Sequence, residues 1–334
     1  MKKTYYLFNP GRLSRKDNTL KFTPVDEDGV VGQSRYLPVE TINDLYVFGS
    51  LDANSALYTF LGKNHIAVHF FDYYEHYAGS FMPKEYLLAG KMQIQQTKHY
   101  MAAKKRIVIA RGFVDGAAAN ILKNLQYYKR RGKELTGVIE QIETYRKDIV
   151  DTDNIPQLMG LEGNIRQAYY KAFDEILNDF NMGNRTKQPP ENEVNTLISF
   201  GNMMCYTTCL GQIYHTQLNP TISFLHEPGY RRFSLALDIA EIFKPLLIDR
   251  TIFSLLNKKQ IKASDFRSEV SRCVLKDSGR KTFIRVYEEK LKETIKHRSL
   301  GKSVSYKHLI KLECYKLSKH MLGMEPYVPF RAWW

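Results

Sequence analysis

Cysteine is scarce in this chain. There are four in 334 residues (Cys205, Cys209, Cys273 and Cys314), too few and too scattered for a disulfide framework. Cys205 and Cys209 stand one helical turn apart, but no CxxC pair accompanies them, so reduced core thiols are expected and zinc is not. Nowhere do about 18 apolar residues run together, so no membrane-spanning helix is expected. The opening MKKTYYLFNPGRL has two lysines but no apolar run of signal-peptide length, and the expected setting is cytoplasmic. No repeat period is visible. Acidic residues are in deficit: 35 Asp and Glu against 49 Lys and Arg leave a formal charge of +14. Such a surface attracts polyanions, nucleic acid first among them, although a basic surface can also serve solubility alone.

Short segments rich in Tyr, Val, Leu and Phe fill the first eighty residues, at 4–8, 20–23, 34–38 and 44–48, with further ones at 65–71 and 77–81. Turn residues separate them, Asn9-Pro10-Gly11 and the Asp-rich stretch before Gly29 most clearly. Residues 53–61 suit a short helix. After Pro83 the apolar spacing becomes helical, first over 84–131 with Gly112 and Gly116 as interruptions, then to the end with breaks near 151–156, 183–190, 219–228 and 276–280. The expected class is α+β: a small, mainly β domain over 1–83, then a larger all-α domain over 84–334.

Three helical-part segments carry polar residues that invite chemistry. In Leu158-Met159-Gly160-Leu161-Glu162-Gly163-Asn164 a glutamate lies between glycines at what reads as a helix start, where a ligand can come close. The plainer reading is a carboxylate serving the helix dipole. His226 precedes Pro228-Gly229 and should sit on a loop; HE without the second histidine of HExxH excludes the zinc-protease pattern. In 233–245, Leu235, Ile239 and Ile242 form an apolar stripe, with Asp238, Glu241 and Lys244 at successive three-residue steps beside it. Carboxylates next to a core need a compensating cation, either a bound ion or Lys244 itself. Oxygen ligands with one imidazole suit Mg²⁺ or Mn²⁺, which activate phosphodiester chemistry. Arg231 and Arg232 could grip flanking phosphates. The residues by themselves leave hydrolysis and joining equally open.

The blocks LMGLEGN (158–164), TLISFGNMMCYT (196–207), FLHEPGYRRFSLALDIAEIFKP (224–245) and YKLSKH (315–320) resemble the CRISPR-associated spacer-acquisition integrase, the universal "Cas-one" family, most closely its type I-B and related members. The resemblance spans nearly the whole chain. It implies that Glu162, His226 and Asp238 are catalytic metal ligands for Mg²⁺ or Mn²⁺, with Glu241 a supporting carboxylate. It further implies that Arg231, Arg232 and Lys244 bind DNA phosphates and that Asn202 is a positioning residue. The implied reaction is attack by a 3′-hydroxyl of incoming DNA on a phosphodiester at the CRISPR repeat. The implied partners are double-stranded spacer-precursor and repeat DNA, a second copy bound through the β domain, and a small "Cas-two" dimer. Two other readings stand beside it: a stand-alone structure-specific nuclease and a non-catalytic DNA-binding scaffold. Tyr5, Tyr6, Tyr73, Tyr74 and Tyr77 could stack on bases. The apolar tail 326–334 could either pack back on the helices or dock a partner.

Overall fold

The computed structural model describes the chain except residues 1, 27, 73, 75, 85, 86, 88, 230–232, 271, 298, 299 and 334. Two compact units emerge, Met1–Tyr86 and Leu87–Trp334.

In the first unit the strands are β1 (Lys3–Leu7), β2 (Gly11–Lys16), β3 (Thr19–Pro24), β4 (Arg35–Pro38), β5 (Ile42–Val47) and β6 (Leu51–Asp52). Helix α1 (Ser55–Lys63), β7 (Ala67–Phe71) and β8 (Tyr77–Phe81) follow. One four-stranded sheet has the order β1-β5-β7-β8, parallel through its first three strands; the other has the order β4-β3-β2-β6, antiparallel apart from the short β2–β6 pair. Strand β2 was not expected, because Arg12, Arg15 and Lys16 break up its apolar residues; only Leu13 and Gly11 face inward. Asp17 turns the chain from β2 to β3 with φ 53°, a left-handed conformation that a short polar side chain tolerates. Asn54 caps α1 by accepting from the Leu57 N–H at 3.0 Å. Leu13, Leu20, Ile42, Leu45, Leu57, Leu61 and Val68 close a core, each worth roughly 1.5–3 kcal/mol of burial.

The second unit is mainly helical. The stretch of helical spacing over 84–131 forms two helices, α2 (Gly90–Met101) and α3 (Ala103–Lys129), and the break falls at Ala102, whose ψ of 100° is extended, and not at Gly112 or Gly116. Then come α4 (Thr136–Asp148), α5 (Ile155–Lys171), α6 (Phe173–Ile176), α7 (Glu193–Tyr214) and α8 (Ser234–Lys244). A wide turn, Pro245–Asp249, leads into α9 (Arg250–Asn257). The expectation of an all-α unit is corrected by two small antiparallel pairs, β9 (Phe266–Glu269) with β10 (Arg272–Leu275), and β11 (Thr294–Lys296) with β12 (Ser303–Ser305). Helices α10 (Asp277–Lys292) and α11 (Tyr306–Met321) complete it.

Gly112 and Gly116 do not interrupt α3. They make room for the tail: a Cβ at either would stand 2.7 Å from the Tyr327 ring or 2.9 Å from Pro329. Tyr327 donates its hydroxyl to buried Glu313 at 2.7 Å, and Asn120 accepts from the Ala332 N–H at 2.8 Å while donating to the Ile242 carbonyl at 2.8 Å. The apolar tail therefore packs back on its own unit. All four cysteines are buried and free. No helix among the described residues is long and apolar enough to cross a membrane.

Candidate metal centre

Helix α5 begins earlier than its glycines suggested. Asn154 caps it, accepting from the Gln157 N–H at 2.9 Å, and Pro156 fits its first turn. Glu162 consequently lies two turns inside the helix, out of reach of the N-terminal dipole that its sequence context implied. One turn further on, Arg166 reaches back to Glu162 at 3.4 Å and across to Glu241 on α8. Lys244 holds the other oxygen of Glu241 from the next turn of α8. Two carboxylates and two cations thus form one compact, charge-balanced cluster. The Arg166 side chain is only 12% exposed, which forces it to keep a partner.

Asp238, one turn before Glu241 on α8, takes different partners. It is fully buried and accepts from the backbone N–H groups of Phe224 at 2.6 Å, Leu225 at 3.0 Å and His226 at 2.9 Å. Its fourth bond is to Nδ1 of His226, at 2.8 Å. A carboxylate offers about four acceptor positions, and all are taken. Asp238 shapes the loop and aims the histidine; as placed it has no lone pair left for an ion. His226, 22% exposed on its side chain, keeps Nε2 as the ring nitrogen that Asp238 does not use.

Residues distant in sequence steady this loop. Gln96 on α2 donates to the carbonyls of Asn219 and Ile222 at 2.9 and 2.8 Å, and accepts from the Asn219 N–H. Arg106 on α3 donates to the Phe224 carbonyl at 2.8 Å and to Glu227 at 2.7 Å. The sequence reading missed both, since nothing in their own neighbourhood marks them. Arg166 was also missed, although its i,i+4 spacing from Glu162 was legible.

Electrostatics follow the geometry. Burial pushes the Glu162 carboxyl up, the neighbouring Glu241 charge adds to this, and Arg166 and Lys244 oppose it without prevailing. Burial works against Glu241 too, but Lys244, Arg166 and His226 outweigh it and hold that carboxyl well below the usual range. For His226, burial lowers the pKa, while the Asp238 bond and charge win and leave it raised.

Asn202 sits half-buried on α7, and no hydrogen bond joins it to the cluster among the described residues. Its block matters for packing instead: a Cβ on Gly201 would stand 2.4 Å from Ile248, so α7 approaches the wide turn closely. Lys244, expected on a DNA path, is committed to Glu241. Arg231, Arg232 and Tyr73 lie outside the described residues.

Two carboxylates and an imidazole nitrogen suit a hard divalent cation such as Mg²⁺ or Mn²⁺. As the side chains stand, however, Arg166 and Lys244 occupy the carboxylates. Among the described residues no three His, Cys, Asp or Glu side chains are arranged to hold an ion. The donor set fits the ion on condition that Arg166 moves.

A family profile described as "CRISPR associated protein Cas1" matches residues 5–289. The chain belongs to the Cas1 family. It is 44% identical over 335 residues to a CRISPR-associated endonuclease Cas1 of Fusobacterium nucleatum, covering all of this chain and 98% of that one. It is 47% identical over 334 residues to a CRISPR-associated protein Cas1 of Methanobrevibacter ruminantium, covering 100% and 99%. Among solved structures, a Cas1 protein from Thermotoga maritima superposes with a TM-score of 0.86 at 39% identity, over 98% of this chain and all of that one. A casposase bound to its integration product shares the fold, with a TM-score of 0.84 at 20% identity over 99% and 93% of the two chains.

Proposed function

We propose that this chain is a CRISPR-adaptation integrase and DNA endonuclease that depends on Mg²⁺ or Mn²⁺ held by Glu162, Glu241 and Nε2 of His226. Two roles from the sequence reading change places here: Asp238 becomes the residue that orients the histidine, and Glu241 becomes a ligand. The observation that carries this is the saturation of Asp238 by three backbone N–H groups and the His226 ring. A carboxylate holding Nδ1 is the usual support behind a metal-binding histidine. Glu162 and Glu241, by contrast, are engaged only by long, repositionable side chains.

The ion would polarise a phosphoryl oxygen and favour attack by a hydroxyl. A new phosphodiester forms between the attacking 3′-oxygen and phosphorus, the strand's own P–O bond breaks, and the proton of the attacking hydroxyl ends on the departing oxygen through solvent. The protein's part is placement. Asp238 fixes the imidazole ring plane, Gln96 and Arg106 keep its loop still, and Lys244 steadies one oxygen of Glu241. Protonated His226 has no lone pair on Nε2, so activity should fall as pH drops through its raised pKa.

The substrates in this reading are spacer-precursor and repeat DNA, which the net charge of +14 favours. Pairing with a second copy through the β unit and with a Cas2 dimer belongs to the same reading. A Cas6-RT-Cas1–Cas2 complex contains a chain with this fold, at a TM-score of 0.83 and 17% identity. A non-catalytic DNA-binding scaffold has one observation in its favour: Arg166 and Lys244 already balance Glu162 and Glu241 without an ion.

A strand-transfer assay with a short duplex, a supercoiled repeat plasmid and Mn²⁺ separates these readings. Joined products support the integrase, cut products alone support a nuclease, and salt-sensitive binding without turnover supports the scaffold. Glu241→Gln should abolish joining, whereas Asp238→Asn should leave a remnant reduced by about 10–100-fold. Joining that survives Glu241→Gln rejects the ligand assignment.

A further inference from the structure

Asp249 ends the wide turn that follows α8. It is 2% exposed, and its Oδ2 has no hydrogen-bond partner. The Tyr169 hydroxyl bonds to the carboxyl, and Asn124 holds Tyr169 in turn at 3.0 Å. A buried carboxylate oxygen with no donor is costly, and a cation is what would satisfy it. Burial pushes the Asp249 pKa up to about 7; of the charges that oppose this, Arg166 is the largest and Lys244 the next. Arg166 therefore lies within electrostatic reach of Asp249 while its guanidinium is spent on Glu162 and Glu241.

The two facts fit together once an ion enters. A divalent cation at Glu162 and Glu241 would take over the acceptors that Arg166 uses and would repel the displaced guanidinium. Arg166 is nearly enclosed, so an unpartnered exit would leave a buried charge with nothing to hold it. Asp249 is the acceptor standing ready. We infer that Arg166 has two seats, Glu162 with Glu241 in the metal-free chain and Asp249 in the metal-loaded one, so that Asp249 sets metal affinity without touching the metal. This rests on the metal reading above. It makes Arg166 an internal stand-in for the ion, which keeps the acidic pair from repelling itself when no ion is bound.

The test is titration of the full-length protein with Mn²⁺ alone, without DNA, followed by calorimetry and by the spin resonance of free Mn²⁺. Asp249→Asn, which keeps the shape and removes the second seat, should weaken binding by about tenfold. Arg166→Gln, which removes the competitor, should tighten it by a similar factor. In the double variant the Asp249 substitution should have no further effect, because the two residues act through one another. A folded Asp249→Asn protein with unchanged Mn²⁺ affinity overturns the inference, whatever Arg166→Gln does. So does an Asp249→Asn effect that persists at full size beside Arg166→Gln. Absence of Mn²⁺ binding by the parent protein overturns the metal reading itself, and with it this inference.

Discussion

The two units of this chain bury different things. Among the described residues of the first unit, the buried polar side chains are Asp44 and His69, and the rest of the interior is apolar. The second unit buries Asp238, Glu241, Asp249 and Glu313 together with Gln96, Asn120 and Asn124. Sheets need little more than alternating apolar residues to hold together, and the first unit uses little more. The second spends part of its interior on charges that well-packed leucines would replace without loss of stability. Charge buried at such cost marks where chemistry is to be sought, and every proposed ligand lies in that unit.

The comparison breaks most visibly at Glu162. Burial raises its carboxyl pKa, and Arg166 keeps Glu241 as a partner when Glu162 is lost. Glu162→Gln is therefore expected to cut strand transfer by on the order of a thousandfold while moving the unfolding midpoint little. A large fall in midpoint with activity retained would make Glu162 a structural residue.

Leu45→Ala should show the reverse in the first unit. Leu45 is fully buried in β5, and its loss should cost about 2–5 kcal/mol, read as a lower unfolding transition in calorimetry, with Mn²⁺ affinity unchanged. A changed Mn²⁺ affinity would mean that the two interiors are not independent.

The third test concerns pH. The folded Asp249 pKa of about 7 is above the ordinary carboxylate value near 3.9, so the folded chain binds more protons than the unfolded one between them. Its contribution is complete below about pH 4 and is lost as pH rises toward 7. Glu162 and His226, also raised, act in the same direction; Glu241, held low, acts only at the acid end of the range. The metal-free parent should therefore lose stability relative to Asp249→Asn over that window, by on the order of a few kcal/mol. A flat difference between the two melting curves across the window would contradict it.

Much of the fold was legible. The tyrosine- and valine-rich segments fell on strands, and the switch to helical spacing after Pro83 is real. Strand β2 was hidden by its outward arginines and lysine, and the short β9–β10 and β11–β12 pairs by their length. Glycines misled twice. Gly160 and Gly163 suggested a helix start that lies at Ile155, and Gly112 and Gly116 suggested breaks where the tail in fact docks. In the first case a local cap, Asn154 with Pro156, set the start; in the second, packing of the distant tail outweighed the glycines' propensity.

Residue types and spacing by themselves determined that this chain carries a basic surface, a β-rich start, a helical remainder and a set of carboxylates with one loop histidine. The three-residue steps from Asp238 to Glu241 to Lys244 placed them on one side of a helix, and that side is indeed buried. Tertiary structure alone decided how that side is divided. Asp238 turns to the loop at 224–226, Glu241 turns to Arg166 on α5, and Asp249 is left beneath with one oxygen unpaired. The reason is physical: a carboxylate's role depends on which donors reach it, and the Arg166 donor to Glu241 stands 75 residues away, beyond what helical periodicity can register.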